Sequence, residues 1–402
     1  MSFDRVEIPY GAYWSTPFVR WQGAFQHLHA MRFAAHVAKA ELAKRNISPQ
    51  VFDFGVFGMT VVQFQSFYGA PWPLYEIGAT RISGPMLSQV CATGVRALIA
   101  GASEIQTGLA TVALTITADR CSNGPHIYFP APRGPGGTGT TEDQVLYNFS
   151  HDPIGGHAMG DTAENVAIKY GITTEQQHAV VLRRYEQYQD AVANGRKFQK
   201  RYMTLPFPVP KPNFRGEDTA IEGDEGITAS TAEGLAKLKP IKEGGTLTFG
   251  GQTHPADGNA GIVLALPEKA AELSQNPNIR IRIRAFGQGR AEVAFMPEAP
   301  IFASKAALDR AGVSIKDIAA IKSHNPFAVN DIAFAQATGA DLNSMNNFGC
   351  SLIWGHPQGP TGSRGIIELI EELVLRGGGL GLFQGCAAGD SSLATVIEVS
   401  DR

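Results

Sequence analysis

Cys91 is the residue of this sequence whose surroundings best suit covalent chemistry. It lies in the segment SQVCATG (88–94), directly before a stretch whose apolar residues recur at helical spacing. The unpaired N–H groups and the positive dipole end of a helix N-terminus both stabilise a thiolate. The position therefore predicts a nucleophilic cysteine. The alternative is a buried, unreactive thiol, which is the commoner state of a free cysteine.

Three further residues with suitable chemistry lie in the last quarter of the chain. His356 is in the glycine-rich turn GHPQGPTG (355–362), Cys386 follows a short apolar run, and His324 ends the apolar segment that begins at Ile318. Turns that follow the strands of an open α/β sheet gather at one edge of that sheet. The two cysteines and two histidines are therefore expected to meet.

A repeated pattern identifies the elements that would position these residues. Segments 93–99 and 361–367 both read Thr-Gly-x-Arg and continue with apolar residues at helical spacing. Each leads through glycine into an apolar run, at 110–116 or 380–383, which predicts a buried strand. The matching order of helix, glycine and strand indicates an internal duplication, whose two copies would lie about a pseudo-twofold axis.

The duplication divides the chain into an α/β half at each end and an insertion between them. We predict an N-terminal half at residues 1–121, an inserted loop (lid) domain at 122–249 and a C-terminal half at 250–402. The lid is rich in glycine and proline over 122–160 and contains a charged helical segment at 173–195. Long irregular insertions commonly carry binding residues, so the lid is expected to border the active site.

The composition argues against several classes of protein. Lys plus Arg number 34 and Asp plus Glu number 37, so a net charge of −3 provides no general basic field for nucleic acid or an anionic membrane. The four cysteines form no CxxC pair, so neither a disulfide framework nor a zinc motif is predicted. The absence of a long apolar run and of a recognisable targeting segment predicts a cytoplasmic protein. A charged fraction of 18% is low, which predicts that a partner subunit covers part of the surface.

Several short motifs resemble, in order, those of the thiolase family. They are CATG at 91–94, MGDTAENVA at 159–167, GTLT at 245–248, HNPFA at 324–328, GHP at 355–357 and finally Cys386. The motifs extend over essentially the whole chain. The resemblance implies an α/β thiolase fold, with two duplicated halves in a five-layered αβαβα arrangement and an inserted loop domain. It also implies a homodimer or homotetramer that acts on coenzyme A thioesters.

The resemblance also implies a role for each candidate residue. Cys91 would attack the keto carbon of a 3-oxoacyl-CoA while His356 draws its proton, and Cys386 would protonate the departing acetyl-CoA enolate. His324 and His356 would hold the enolate oxygen. The backbone N–H groups of Cys91 and Ala388 would form a second oxyanion hole. Coenzyme A would be a substrate, with no permanently bound cofactor and no metal ligand.

The residues that would bind coenzyme A and the acyl chain are less clearly marked. Thr253 occupies the position of a family serine near the pantetheine, and His157 lies in the region of a loop residue that lines the pantetheine tunnel. The lid aromatics Tyr128, Phe129 and Tyr147 are expected to shape a pocket for a branched or aromatic acyl chain. Some divergent thiolases also work with a small zinc-binding OB-fold partner, which the sequence neither requires nor excludes.

Alternative functions stay open at this point. The first interpretation is a degradative thiolase that cleaves a 3-oxoacyl-CoA into acetyl-CoA, or another acyl-CoA, and a shortened acyl-CoA. The alternatives are a biosynthetic acetoacetyl-CoA thiolase and a non-catalytic acyl-CoA-binding subunit. Ketosynthases and hydroxymethylglutaryl-CoA synthases share the resemblance but need no second thiol, so Cys386 favours a thiolase.

Overall fold

Two β-sheets, one in each half of the chain, form the frame of the molecule. The computed structural model describes residues 3–402. Within that range the strands are β1 (Tyr13–Ser15), β2 (Val19–Arg20), β3 (Phe54–Gly58), β4 (Met86–Leu87), β5 (Val112–Arg120), β6 (His126–Phe129), β7 (Thr140–Asp143), β8 (Phe207–Pro210), β9 (Glu217–Ile221), β10 (Ala256–Ala265), β11 (Ile279–Arg290), β12 (Ile318–His324), β13 (Gly379–Ala387) and β14 (Ser391–Asp401). The α-helices are α1 (Ala30–Lys44), α2 (Pro71–Ile77), α3 (Thr93–Gln106), α4 (Leu146–Ser150), α5 (Met159–Tyr170), α6 (Thr174–Arg196), α7 (Ala232–Ala236), α8 (Pro267–Leu273), α9 (Ala299–Ala311), α10 (Ala328–Thr338), α11 (Ser351–Trp354) and α12 (Gly359–Leu375).

The N-terminal sheet has the strand order β1-β10-β5-β3-β4, and β2 also pairs with β10. β3 is parallel to β5, whereas β10 is antiparallel to it. Every residue of β10 is buried, and β5 is buried as far as Asp119. Strands enclosed on both faces require apolar or small residues throughout, which explains the apolar run that predicted β5.

The C-terminal sheet has the order β11-β14-β13-β12. β12 and β13 are parallel, and the other two pairings are antiparallel. The parallel pair matters for the site, because the carboxyl ends of both strands lie at the same edge. His324 ends β12 there, and Cys386 lies next to the end of β13.

Helices form three layers around the two sheets. α1 and α2 cover the outer face of the N-terminal sheet, α3 and α12 lie between the sheets, and α9 and α10 cover the outer face of the C-terminal sheet. All residues of α12 from Gly359 to Leu373 are buried, because this helix packs on both sides. The result is the five-layered αβαβα arrangement that was expected.

α3 and α12 are the two copies of the repeated sequence, and they pack against each other in the central layer. A Cβ atom on Gly94 would lie 2.5 Å from the backbone nitrogen of Ser363 and 2.8 Å from the carbonyl oxygen of Gly359. Only glycine allows such an approach. The repeated Thr-Gly pattern therefore brings the N-termini of the two helices together.

The domain boundary predicted at residue 250 disagrees with the sheet pairing. β10 follows that boundary, but it joins the N-terminal sheet between β1 and β5. The C-terminal sheet starts only at β11. Alternation of strands and helices could not reveal this, because tertiary contacts decide which sheet a strand joins.

The insertion contains two hairpins, β6–β7 and β8–β9, and the helices α4 to α7. α6 corresponds to the predicted helix at 173–195. Thr173 accepts the N–H of Gln176, and the Gln176 side chain accepts the N–H of Thr173 in return. The helix kinks at 193–195. Over residues 3–402, no helix combines the length and apolarity that crossing a membrane requires.

Candidate active site

Contact between Cys91 and His356 is the central feature of the site. Cys91 precedes α3 and His356 precedes α12, so the close packing of these helices brings the two side chains together. The Cys91 Sγ atom lies 3.1 Å from Nε2 of His356. The other ring nitrogen, Nδ1, lies 2.7 Å from the Thr361 hydroxyl. With a proton on Nδ1, the Nε2 lone pair faces the thiol, as a general base requires.

The protein surroundings keep this pair neutral. Burial raises the pKa of Cys91 to about 12, although the backbone N–H groups of Ala388 and of Cys91 itself act in the opposite direction. Burial also lowers the pKa of His356 to about 3, with a smaller contribution from His254. Burial therefore acts against the thiolate that the helix N-terminus was expected to stabilise. The proton must leave Cys91 as the new bond forms.

The backbone before Cys91 is held in an unusual conformation. Val90 has φ +49°, a left-handed conformation that is rare for a β-branched residue. Its carbonyl oxygen accepts the Thr93 hydroxyl at 2.7 Å, and the same hydroxyl accepts the N–H of Gln89 at 2.8 Å. Such strain costs about 1–3 kcal/mol and persists only where neighbouring contacts enforce it. It presents Cys91 toward the cavity.

His324 stacks on His356 beneath the thiol. The ring centroids are 4.1 Å apart, with an angle of 27° between the rings. His324 Nδ1 lies 2.9 Å from the Ser351 hydroxyl, whereas its buried Nε2 has no hydrogen-bond partner. Burial, and secondarily the nearby His356, keeps the pKa of His324 well below its usual value. When the Ser351 hydroxyl donates to Nδ1, Nε2 carries the proton and can donate to an oxyanion.

Cys386 is completely buried and is oriented by an amide that the sequence analysis missed. The Asn330 side-chain N–H donates to the Cys386 Sγ atom at 3.3 Å. Burial raises the pKa of Cys386, and the proximity of Cys91 raises it further. A donor at the sulfur stabilises the thiolate that forms during proton transfer. The available signal was an amide residue in the first turn of α10.

Asp119 is a second residue that the sequence analysis missed. Its carboxylate accepts the backbone N–H groups of Thr60 and Val61, each at 2.8 Å, and that of Gly359 at 2.9 Å. Burial raises its pKa to about 7, opposed by these donors. The contacts join the loop at Thr60 to the N-terminus of α12. The sequence signal for Asp119 was an acidic residue near the end of the otherwise apolar or small-residue run that predicted the buried strand β5.

A cavity of about 600 Å³ opens onto Cys91 and His356. Its walls include Ala388, Thr253 and, from the lid, Phe149. The lid therefore borders the site, as expected. His157, Cys386 and His324 are not part of the lining.

Two expectations about the cavity have different outcomes. Tyr128, Phe129 and Tyr147 do not line it and are about half exposed, so the expectation that they shape the pocket is wrong. Phe149, in α4, lines the cavity instead. The roles of Thr253 and His157 in binding coenzyme A stay predictions.

Comparison with known proteins identifies the family. The chain matches the N-terminal domain of thiolase over residues 12–268 and the C-terminal domain of thiolase over residues 278–399. An acetyl-CoA acetyltransferase of Chromobacterium violaceum is 29% identical, and the match covers 98% of this chain and 100% of the relative. A 3-ketoacyl-CoA thiolase of Yersinia enterocolitica is 31% identical, covering 98% of this chain and 97% of the relative.

The solved structures agree with the sequence relatives. Human mitochondrial 3-ketoacyl-CoA thiolase in complex with CoA superposes with a TM-score of 0.89 at 25% identity. The superposition covers 100% of this chain and 99% of that chain. The expected thiolase fold is confirmed. Sequence matches over both halves and a shared fold over the whole length lead to one conclusion: the chain belongs to the thiolase family of acyltransferases.

Proposed function

We propose that this chain cleaves a 3-oxoacyl-CoA with coenzyme A by way of an acyl-enzyme on Cys91. The single observation that carries the proposal is the 3.1 Å contact between Cys91 Sγ and His356 Nε2 at the floor of the cavity. His356 takes the thiol proton as sulfur attacks the keto carbon. The bond between the α and β carbons then breaks, and the acyl group stays on sulfur.

The remaining residues handle the other half of the reaction. Cys386 protonates the departing acetyl-CoA enolate, and Asn330 supports its thiolate. The Nε2 atoms of His324 and His356 face the enolate oxygen, while the backbone N–H groups of Cys91 and Ala388 face the oxyanion on the acyl carbon. A second coenzyme A collects the acyl group and frees Cys91.

We propose the degradative direction and an acyl group larger than acetyl. The apolar walls of the cavity, which include Val145, Phe149, Ile154 and Met296, favour an acyl chain with a branched or aromatic group. Thiolysis rates for a panel of 3-oxoacyl-CoA substrates test this. A preference for acetoacetyl-CoA over every larger substrate, together with efficient condensation of acetyl-CoA, would support the biosynthetic alternative instead.

The experiment that tests the acyl-enzyme compares two cysteine variants. Cys91→Ser is expected to reduce thiolysis by at least about 10⁴-fold, because it removes the nucleophile. Cys121→Ala, at a buried thiol that does not line the cavity, is the matched control and should retain activity. Mass spectrometry of the wild type with acyl-CoA should find the adduct on the Cys91 peptide. An adduct on Cys386 would overturn the assignment, and four unreactive thiols would support a non-catalytic binding subunit.

We further propose that the chain forms a homodimer through an aromatic surface. Phe64, Phe67, Tyr68 and Tyr75 are exposed by 81%, 93%, 71% and 67%, respectively. Exposed aromatic patches of this kind mark interfaces between proteins, and the edge strand β4 follows them in the chain.

Sedimentation of the wild type should give a species of twice the 43.0 kDa chain mass or larger. Phe67→Ser should shift the equilibrium toward the monomer, whereas the control Leu109→Ser, which also removes an exposed apolar side chain, should not. A wild-type monomer at micromolar concentration would contradict the proposal. Aggregation of the chain expressed alone would favour a requirement for a second type of subunit, such as the zinc-binding OB-fold protein.

A further inference from the structure

The active site contains three side chains that form a metal-ligand set. The ligand atoms of Cys91, His324 and His356 all lie within 4.8 Å of one another. His324 Nε2 is buried and has no hydrogen-bond partner. A thiol sulfur and two imidazole nitrogens therefore lie close together in the site.

Hydroxyl groups contact the Nδ1 atoms of both imidazoles and so orient the rings. Thr361 contacts Nδ1 of His356 at 2.7 Å, and Ser351 contacts Nδ1 of His324 at 2.9 Å. The Ser351 hydroxyl can donate to Asn325 Oδ1 at 3.2 Å, which leaves its oxygen free to accept the Nδ1 proton of His324. In this tautomer both Nε2 atoms carry a free lone pair, and that of His356 lies 3.1 Å from Cys91 Sγ. Hydrogen bonds to the second ring nitrogen orient histidine ligands in the same way at metal sites.

The chemistry of these donors selects the ion. One thiolate and two imidazoles match the ligand preference of Zn²⁺, whereas Mg²⁺ and Ca²⁺ require oxygen ligands. Zn–S and Zn–N bonds of about 2.3 Å and 2.0 Å place tetrahedral ligand atoms roughly 3.3–3.6 Å apart. The Cys91–His356 pair, at 3.1 Å, is already close to this spacing. Because the two imidazole rings are stacked at 27°, His324 must turn out of this stack to complete a three-ligand site with one open position.

We propose that the unacylated site binds Zn²⁺ reversibly through Cys91 Sγ and the Nε2 atoms of His324 and His356, and that the ion blocks catalysis. Binding forms a Zn–S bond and releases the thiol proton to solvent, so the affinity increases with pH. Acylation of Cys91 removes the sulfur ligand. The acyl group and the zinc ion therefore cannot occupy Cys91 at the same time. The inference goes beyond the proposed function and does not depend on the acyl-CoA used.

The test follows metal binding directly, with Co²⁺ as a spectroscopic probe and Zn²⁺ in competition with a chromogenic indicator. Full-length wild-type protein, first treated with a chelator, should bind one ion per chain and show a thiolate-to-cobalt charge-transfer band. The band should disappear in Cys91→Ser and after alkylation of Cys91 in the wild type, which preserves the folded protein. His324→Ala should weaken binding, and Ser351→Ala should weaken it by about 10–100-fold through loss of orientation.

Two control variants separate this site from its neighbours. Cys386→Ala and His36→Ala should bind the ion as the wild type does, because neither residue belongs to the ligand cluster. A wild type without the charge-transfer band, or a band that persists in Cys91→Ser, would overturn the proposal. A band lost in Cys386→Ala but retained in His324→Ala would overturn it as well. A protein that binds zinc but lacks thiolysis would contradict the proposed function alone.

Discussion

The two copies of the repeated helix, α3 and α12, serve different purposes although they share the pattern Thr-Gly-x-Arg. Arg96 of α3 is partly exposed and donates to the side chains of Gln89 and Gln288. The equivalent Arg364 of α12 is completely buried and forms an ion pair with Asp224 at 2.6 Å. α3 is partly exposed, whereas α12 is buried from Gly359 to Leu373.

The contacts of Arg364 explain what the buried copy does. Its guanidinium also pairs with Glu368 at 3.0 Å and lies 4.4 Å from the ring centroid of Trp354. Asp224 belongs to the lid, so the lid is joined to the helix that follows His356. Cys91, the proposed nucleophile, precedes the partly exposed helix α3, and His356, the proposed base, precedes the enclosed helix α12. The two copies therefore differ in their burial and in the contacts of their arginines.

The largest expected difference between the copies is in the effect of removing the arginine. Arg364→Ala should lower the free energy of unfolding by about 3–5 kcal/mol, because it leaves Asp224 as a buried charge without its ion-pair partner, whereas Glu368 keeps its ion pair with Lys322. Arg96→Ala, the matched variant in the other copy, should cost no more than about 0.5 kcal/mol. Urea denaturation of both variants measures the difference. Equal losses would show that the copies are energetically equivalent.

The repeated glycines provide a second, smaller contrast. Gly94→Ala places a methyl group 2.5 Å from a backbone atom, so it should cost about 1–3 kcal/mol and slow acylation by separating Cys91 from His356. In Gly362→Ala the nearest atom, the backbone nitrogen of Val95, is 3.3 Å away. There the higher helix propensity of alanine, worth about 1 kcal/mol, offsets the crowding. Denaturation and thiolysis rates measure both effects, and a more harmful Gly362→Ala would contradict this packing.

The two thiols allow a third comparison. Asn330→Ala should slow exchange of acetyl-CoA methyl protons with solvent by about 10–100-fold, because a hydrogen bond to a charged group is worth about 1.5–3 kcal/mol. Acylation of Cys91 should change little. Asn343→Ala removes an exposed amide and is the control. If both half-reactions slowed equally, Asn330 would act on the fold rather than on Cys386.

The smallest effect is expected in the pH dependence of acylation. The pKa values of about 12 for Cys91 and about 3 for His356 keep the reactive neutral pair populated between about pH 6 and 8. Acylation by acyl-CoA should therefore vary little in that range, since His356 removes the proton during attack. Alkylation by iodoacetamide needs free thiolate and should accelerate about tenfold per pH unit. A flat alkylation profile would reveal a thiolate–imidazolium pair instead.

The order of motifs along the chain identified much of the site, but not the residues that support it. His324, His356 and both cysteines are adjacent to turns, so residue type and position suffice to nominate them. Ser351, Thr361 and Asn330 act through single hydrogen bonds to those residues. Their sequence surroundings resemble those of ordinary helix residues. Only their distances to a ring nitrogen or a sulfur reveal what they do.

The sequence by itself determined the local features of this protein: the two helices from their apolar spacing, the cap at Thr173 from its glutamine partner, and Cys91 at a helix N-terminus. These depend on contacts within one or two helical turns. Tertiary structure alone decided that β10 joins the N-terminal sheet, that Phe149 lines the cavity, and that burial raises the pKa of Cys91. Each of these three features depends on contacts between distant segments or on the exclusion of water. Neither of these two causes can be read from neighbouring residues in the sequence.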